Sequence, residues 1–217
     1  MNISRKEIRR YLGMMKADSD ETADALIEEC VALLEDAAKP RHIYEKFPLG
    51  WENGFPVIEG NVIQSRNLAK NLDGCTRIVI MAVTLGADVD RLIQKYSILS
   101  MSKAAVLQAC AAAMVEEVCD EVNEEIRQKA EKKGYFCHPR FSPGYGDLLL
   151  ENQKLIFSLI NLPKAIGLTL NSSLLMTPFK SVTAFIGLSA EKKETQETGC
   201  AACAMSPTCE YREQEDI

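Results

Sequence analysis

The sequence predicts a single-domain α+β fold. Three stretches carry that prediction. From Ser102 to Lys133 there is no Gly or Pro, and the apolar residues keep a helical period. Arg77-Ile-Val-Ile-Met-Ala-Val-Thr-Leu85 is an apolar, β-branched run ending at Gly86, the pattern of a strand buried on both faces. Residues 41–64 hold His42, Tyr44, Phe47, Phe55, Val57, Val62 and Ile63, separated by Pro48, Gly50, Gly54, Pro56 and Gly60. That is the pattern of short strands and turns.

The remaining elements follow in order. Ser4-Arg-Lys-Glu7 has capping-box spacing, Ile8, Tyr11 and Leu12 continue as one stripe, and Gly13 ends the helix. A second helix starts near Asp20 with Ala23, Leu26, Ile27, Cys30, Val31 and Leu34 in helical period, and Pro40 stops it. Ser65 caps a short helix through Leu72, and Ala87 to Tyr96 forms another. In the long helix Val106, Cys110, Met114, Val118, Val122 and Ile126 recur every four residues, and Gly134 closes it. At about 100° per residue Glu116 falls at the margin of that stripe, while Glu117 and Asp120 face away from it. Leu150 to Ile160 reads as a helix, and Leu174–Met176 with Ser181–Ile186 as a strand pair. The chain turns polar from Ala190. The expected organisation is a domain over 1–190 and a Cys-containing tail over 191–217.

Composition removes several function classes. At 217 residues the chain can bury one substantial core. No apolar run reaches the roughly 20 residues that span a bilayer. The N-terminal residues lack an apolar signal core, so a cytoplasmic location without membrane partner is expected. Net charge is −6 and the Lys and Arg residues are scattered, which argues against nucleic acid as a partner.

Arg140-Phe-Ser-Pro-Gly-Tyr-Gly-Asp147 concentrates binding chemistry. Arg140 can grip a carboxylate through two parallel hydrogen bonds. Pro143-Gly144 suits the centre of a type II turn, where Gly takes positive φ. Tyr145 offers a ring and a hydroxyl, and Asp147 an acceptor for an ammonium or hydroxyl. An amino acid, or an amino acid linked to a nucleoside, would use all four. The competing reading is a Pro-Gly turn that only connects elements.

Arg140-x-x-x-Gly144-Tyr145 resembles the signature of the reactivation domain of cobalamin-dependent methionine synthase. Ile3 to Gly13, Pro40-Arg41, Leu72-Asp-Gly-Cys75, Thr84-Leu85-Gly86, Glu116 to Asp120, Met176-Thr-Pro178 and Ser181-Val182 resemble stand-alone forms of that domain, in order along nearly the whole chain. The resemblance implies an α+β unit with a twisted antiparallel sheet flanked by helices. It implies an S-adenosylmethionine groove beside the sheet edge, and use of that ligand to remethylate cobalamin after reduction of an inactive cob(II)alamin form. A separate cobalamin-binding subunit or other corrinoid protein, and a low-potential electron donor, are the implied partners. Residue by residue, Arg140 would pair with the methionyl carboxylate, Gly144 and Tyr145 would line the groove, Glu116 would contact ligand from the long helix, and Asp147 would do so mainly through backbone. An acidic contact and a second tyrosine of the family have no clear counterpart here. The alternative function is a corrinoid-protein binding module or chaperone with no methyl transfer of its own.

Seven of the eight cysteines divide into two groups, with Cys137 apart. Cys30, Cys75, Cys110 and Cys119 read as small buried hydrophobes. Cys200, Cys203 and Cys209 lie within ten residues, with Cys-x2-Cys spacing that lets two thiolates reach one metal. A zinc or iron–sulfur site, completed by Cys137 or a partner, is one reading. A reduced tail or redox pair is the other. His42 and His138 are the only histidines, which excludes a His-rich metal site, and His138 either lines the groove or is an ordinary loop residue.

Overall fold

The computed structural model describes residues 3–14 and 21–192. Ser4 caps α1 (Arg5–Tyr11), its hydroxyl accepting from the Glu7 N–H at 3.3 Å. α2 (Glu21–Ala37) buries Ile27, Cys30, Val31 and Leu34, the stripe predicted for it. Residues 41–64 then form one long strand and a small meander: β1 (Arg41–Pro48), β2 (Gly50–Glu52), β3 (Phe55–Ile58) and β4 (Asn61–Val62). Ser65 caps α3 (Arg66–Asn71) through a 3.0 Å bond from the Leu68 N–H.

The predicted buried strand is β5 (Cys75–Thr84), and the helical stretches after it are α4 (Ala87–Leu99) and α5 (Met101–Glu131). β6 (Phe136–Cys137), α6 (Asn152–Leu159), α7 (Leu162–Ile166), β7 (Thr169–Leu170), β8 (Met176–Thr177) and β9 (Ser181–Ser189) complete the order.

β1, β5, β9 and β6 lie side by side in that order, antiparallel throughout. The fold is therefore α+β, an antiparallel sheet flanked by helices, as predicted. The predicted pairing of Leu174–Met176 with Ser181–Ile186 is not found. β9 pairs with β5 along its length, Ser181 opposite Thr84, while β8 folds back on β7 with Met176 opposite Leu170. The cause is local: Asn171 Oδ1 accepts from the N–H groups of Ser173 and Leu175, closing a turn that returns the chain to β7.

Alternation along the two central strands builds two cores. Val79, Met81 and Val83 of β5, with Ala184, Ile186 and Leu188 of β9, pack under α1, α2, α4 and α5. Ile78, Ile80, Ala82 and Phe185 face the other way, onto Leu68, Leu72, Ile156 and Leu162. β5 is buried on both faces, as its unbroken apolar run requires. Cys30, Cys75, Cys110 and Cys119 are buried, and burial pushes the Cys110 and Cys119 thiols up to about 12 and that of Cys30 to about 11. All four are core groups, as the sequence suggested.

Candidate functional site

The chain from His138 to Phe141 runs along the outer edge of β9 as an incomplete strand. The His138 N–H donates to the Gly187 carbonyl at 2.8 Å, and Phe141 and Phe185 exchange both backbone bonds at 2.8 Å. The chain then turns away. The Tyr145 N–H bonds to the Ser142 carbonyl at 3.1 Å with Gly144 at φ +98°, the conformation expected of Pro143-Gly144 at the centre of such a turn.

This departure opens a groove. Backbone groups that point outward from β9 alternate, so Thr183 is the next outward residue after Phe185, and among the described residues no strand pairs with it on that outer side. A cavity of about 430 Å³ sits there, floored by Ser181, Val182 and Thr183. Its walls come from opposite faces of the sheet. Glu116 of α5, with Arg140, forms a charged wall. Phe141 and Met176, which pack on the second core, form an apolar wall with Gln153 of α6.

Arg140 bridges two carboxylates of α5. Its Nη2 donates to Glu116 Oε2 at 2.7 Å and its Nη1 to Asp120 Oδ1. Burial opposes the guanidinium charge, but the Asp120 hydrogen bond and the charges of Asp120 and Glu116 outweigh it, and the Arg140 pKa is raised. Two of its five donors are spent. Asp120 was expected to face away from the apolar stripe and is indeed exposed, yet it belongs to this cluster. The signal was present in the sequence: Asp120 is four residues from Glu116 and so shares its ridge.

The other predicted residues lie apart from that cluster. Gly144 sits in the turn. Tyr145 is 67 % exposed at the rim, edge-on to Phe141 with centroids 6.4 Å apart. The Asp147 side chain points to α3, accepting from the Ser65 hydroxyl and from the N–H groups of Arg66 at 2.8 Å and Asn67 at 3.1 Å. These bonds hold its carboxyl below the usual range. Asp147 thus anchors the loop to the start of α3. His138 is buried away from the groove, with Nδ1 2.6 Å from the Asn71 carbonyl and Nε2 3.1 Å from Ser189 Oγ.

No protein-family model and no curated protein matches the chain by sequence. Solved structures do match. One is the crystal structure of the MetH reactivation domain bound to AdoHcy, with a TM-score of 0.62 over 87 % of this chain and 77 % of that one, at 17 % identity. The two share a fold. The likeness to the MetH reactivation domain is one of fold and supports the α+β assignment.

Two groups escaped the sequence reading as site residues: Asp120 and Gln153. Nothing in the local pattern of α6 marks Gln153, whose place in the groove depends on how that helix docks. Cys200, Cys203 and Cys209 lie outside the described residues. Cys137 is half-buried, and burial pushes its thiol up to about 11. Among the described residues no group of three His, Cys, Asp or Glu is placed to hold a metal, and no helix is long and apolar enough to cross a membrane.

Proposed function

We propose that the chain binds S-adenosylmethionine in the β9 groove and supports reductive remethylation of cobalamin on a separate methionine synthase or other corrinoid protein. The observation that carries this reading is the groove's division between a charged wall of α5 and an apolar wall on the opposite sheet face. An extended ligand with an amino-acid end and a flat base matches that division.

Charge supports the same reading. Glu116 and Asp120 with Arg140 sum to −1 when all are ionised. S-adenosylmethionine carries a sulfonium, an ammonium and a carboxylate, a net +1. The remaining Arg140 donors suit the ligand carboxylate, and the two acidic groups suit its cations. The sulfonium supplies an already activated methyl group. The chain's task is then to fix the ligand's position and exclude water. Tyr145, exposed at the rim, and the exposed apolar residues Leu149, Leu175 and Phe179 suit docking against a partner.

One observation favours the alternative of a corrinoid-protein binding module without methyl transfer: Arg140 already has two carboxylate partners. The discriminating experiment mixes the protein with S-adenosylmethionine, a corrinoid protein and a low-potential reductant. The absorption spectrum of the methylated corrinoid, dependent on this protein, is the expected result. Tight binding to the corrinoid protein with no methylation would establish the alternative.

A further inference from the structure

Gln153 is a polar residue on the apolar wall, 6 % exposed, and its Oε1 is buried with no hydrogen-bond partner. A buried amide oxygen left unpaired costs about 1–3 kcal/mol. Orphans of this kind are rare, and each calls for a physical reason. The second core behind Gln153 is apolar, built from Leu148, Ile156, Phe185 and their neighbours, so packing alone would be served better by Leu or Met. The neighbouring wall residues Phe141 and Met176 offer apolar surface to a flat ring.

We propose that Gln153 reads the base of the groove's ligand and so sets its specificity for adenine. This rests on the S-adenosyl reading above. A primary amide presents an acceptor beside a donor. Adenine presents the complement, its 6-amino donor beside a ring-nitrogen acceptor, and a Gln amide can satisfy both at once. The last side-chain torsion of Gln is soft, so the amide plane can turn to bring the oxygen, with the neighbouring N–H, to the groove edge. The bound base would then supply the partner that Oε1 lacks. The charged groups of the ligand would lie across β9 at Arg140, Glu116 and Asp120. Gln153 acts here as a specificity residue and not in the chemistry.

The test compares S-adenosylhomocysteine with its analogue lacking the 6-amino group, by calorimetry on the wild-type protein and on Gln153→Leu. Wild type is expected to prefer the amino-bearing ligand by about tenfold, since a site built to bond an N–H rejects a ligand without it. Gln153→Leu is expected to lose that preference and to melt no lower than wild type, because it removes the orphaned oxygen. Gln153→Met is the second variant should Leu fail to fold. A substitution that weakens both ligands equally would show a structural role and overturn the proposal, as would an unchanged preference. If wild type binds neither ligand, the S-adenosyl reading itself fails, an outcome distinct from a wild type that binds both without discrimination.

Discussion

Arg140 of the site loop donates to Glu116 of α5 at 2.7 Å across the mouth of the groove, and the same guanidinium holds Asp120 one helical turn further along. Loop and helix are thereby joined into one charged wall. If the proposed site binds as argued, its net charge, and not only its hydrogen bonds, would decide which ligands it favours.

Neutralising either carboxylate tests that charge. Glu116→Gln and Asp120→Asn each bring the cluster from −1 to zero. S-adenosylmethionine, which is cationic, should lose several-fold in affinity, while the uncharged-sulfur S-adenosylhomocysteine changes little. Titration of both ligands at low and high salt checks this, and the difference should shrink as salt rises. Asp120 is 68 % exposed, so Asp120→Asn should alter stability by no more than about 0.5 kcal/mol.

Gly144 at φ +98° allows the turn that leads the chain off β9. Gly144→Ala strains that backbone by about 1–2 kcal/mol. Denaturant unfolding should report that loss, and ligand affinity should fall with it, because the turn sets where the groove opens.

Gly187 is constrained by space. A Cβ there would lie 2.5 Å from Cys75 Sγ and 2.8 Å from Leu72 Cδ2, both buried. Gly187→Ala should cost about 1–3 kcal/mol through overpacking. The loss would appear in unfolding at the far end of β9, with ligand affinity at Ser181–Thr183 nearly unchanged.

Asp147 gives a pH signature. The Ser65 hydroxyl, then the Arg66 and Asn67 N–H groups, lower its pKa below the ordinary 3.8. A carboxyl depressed in the folded protein stabilises it above the unfolded value, and that contribution is lost as pH falls through the folded value. Asp147→Ala should therefore melt below wild type at neutral pH. The gap between the two should close only as pH drops below 3.8. A gap constant with pH would remove the charge from the explanation.

The sequence made some elements legible because their cause is local. The unbroken run Arg77–Leu85 required burial on both faces, and Ser4 and Ser65 marked helix starts by their capping chemistry. Strand partnership was not local. Met176 had to choose between Leu170 and β9, and the Asn171 turn made the choice. α7 was missed because it is a five-residue turn begun by Asn161 and Pro163, shorter than any periodic signal. At the site, the Pro-Gly turn was readable from conformation, and helical phase put Glu116 at the margin of the apolar stripe, while its place at the groove was implied only by the family resemblance. Gln153 was not readable, because its significance lies in having no partner, a property of packing alone.

Calorimetric titration of S-adenosylmethionine into the wild-type protein and Arg140→Ala tests the central claim most directly. Wild type should bind one equivalent, and Arg140→Ala should bind at least tenfold more weakly while remaining folded, since a charge-assisted bidentate contact of this type contributes about 1.5–3 kcal/mol. Equal affinity of the two proteins would contradict the assignment of Arg140 to the ligand site, and no binding to wild type would contradict the groove's function as proposed.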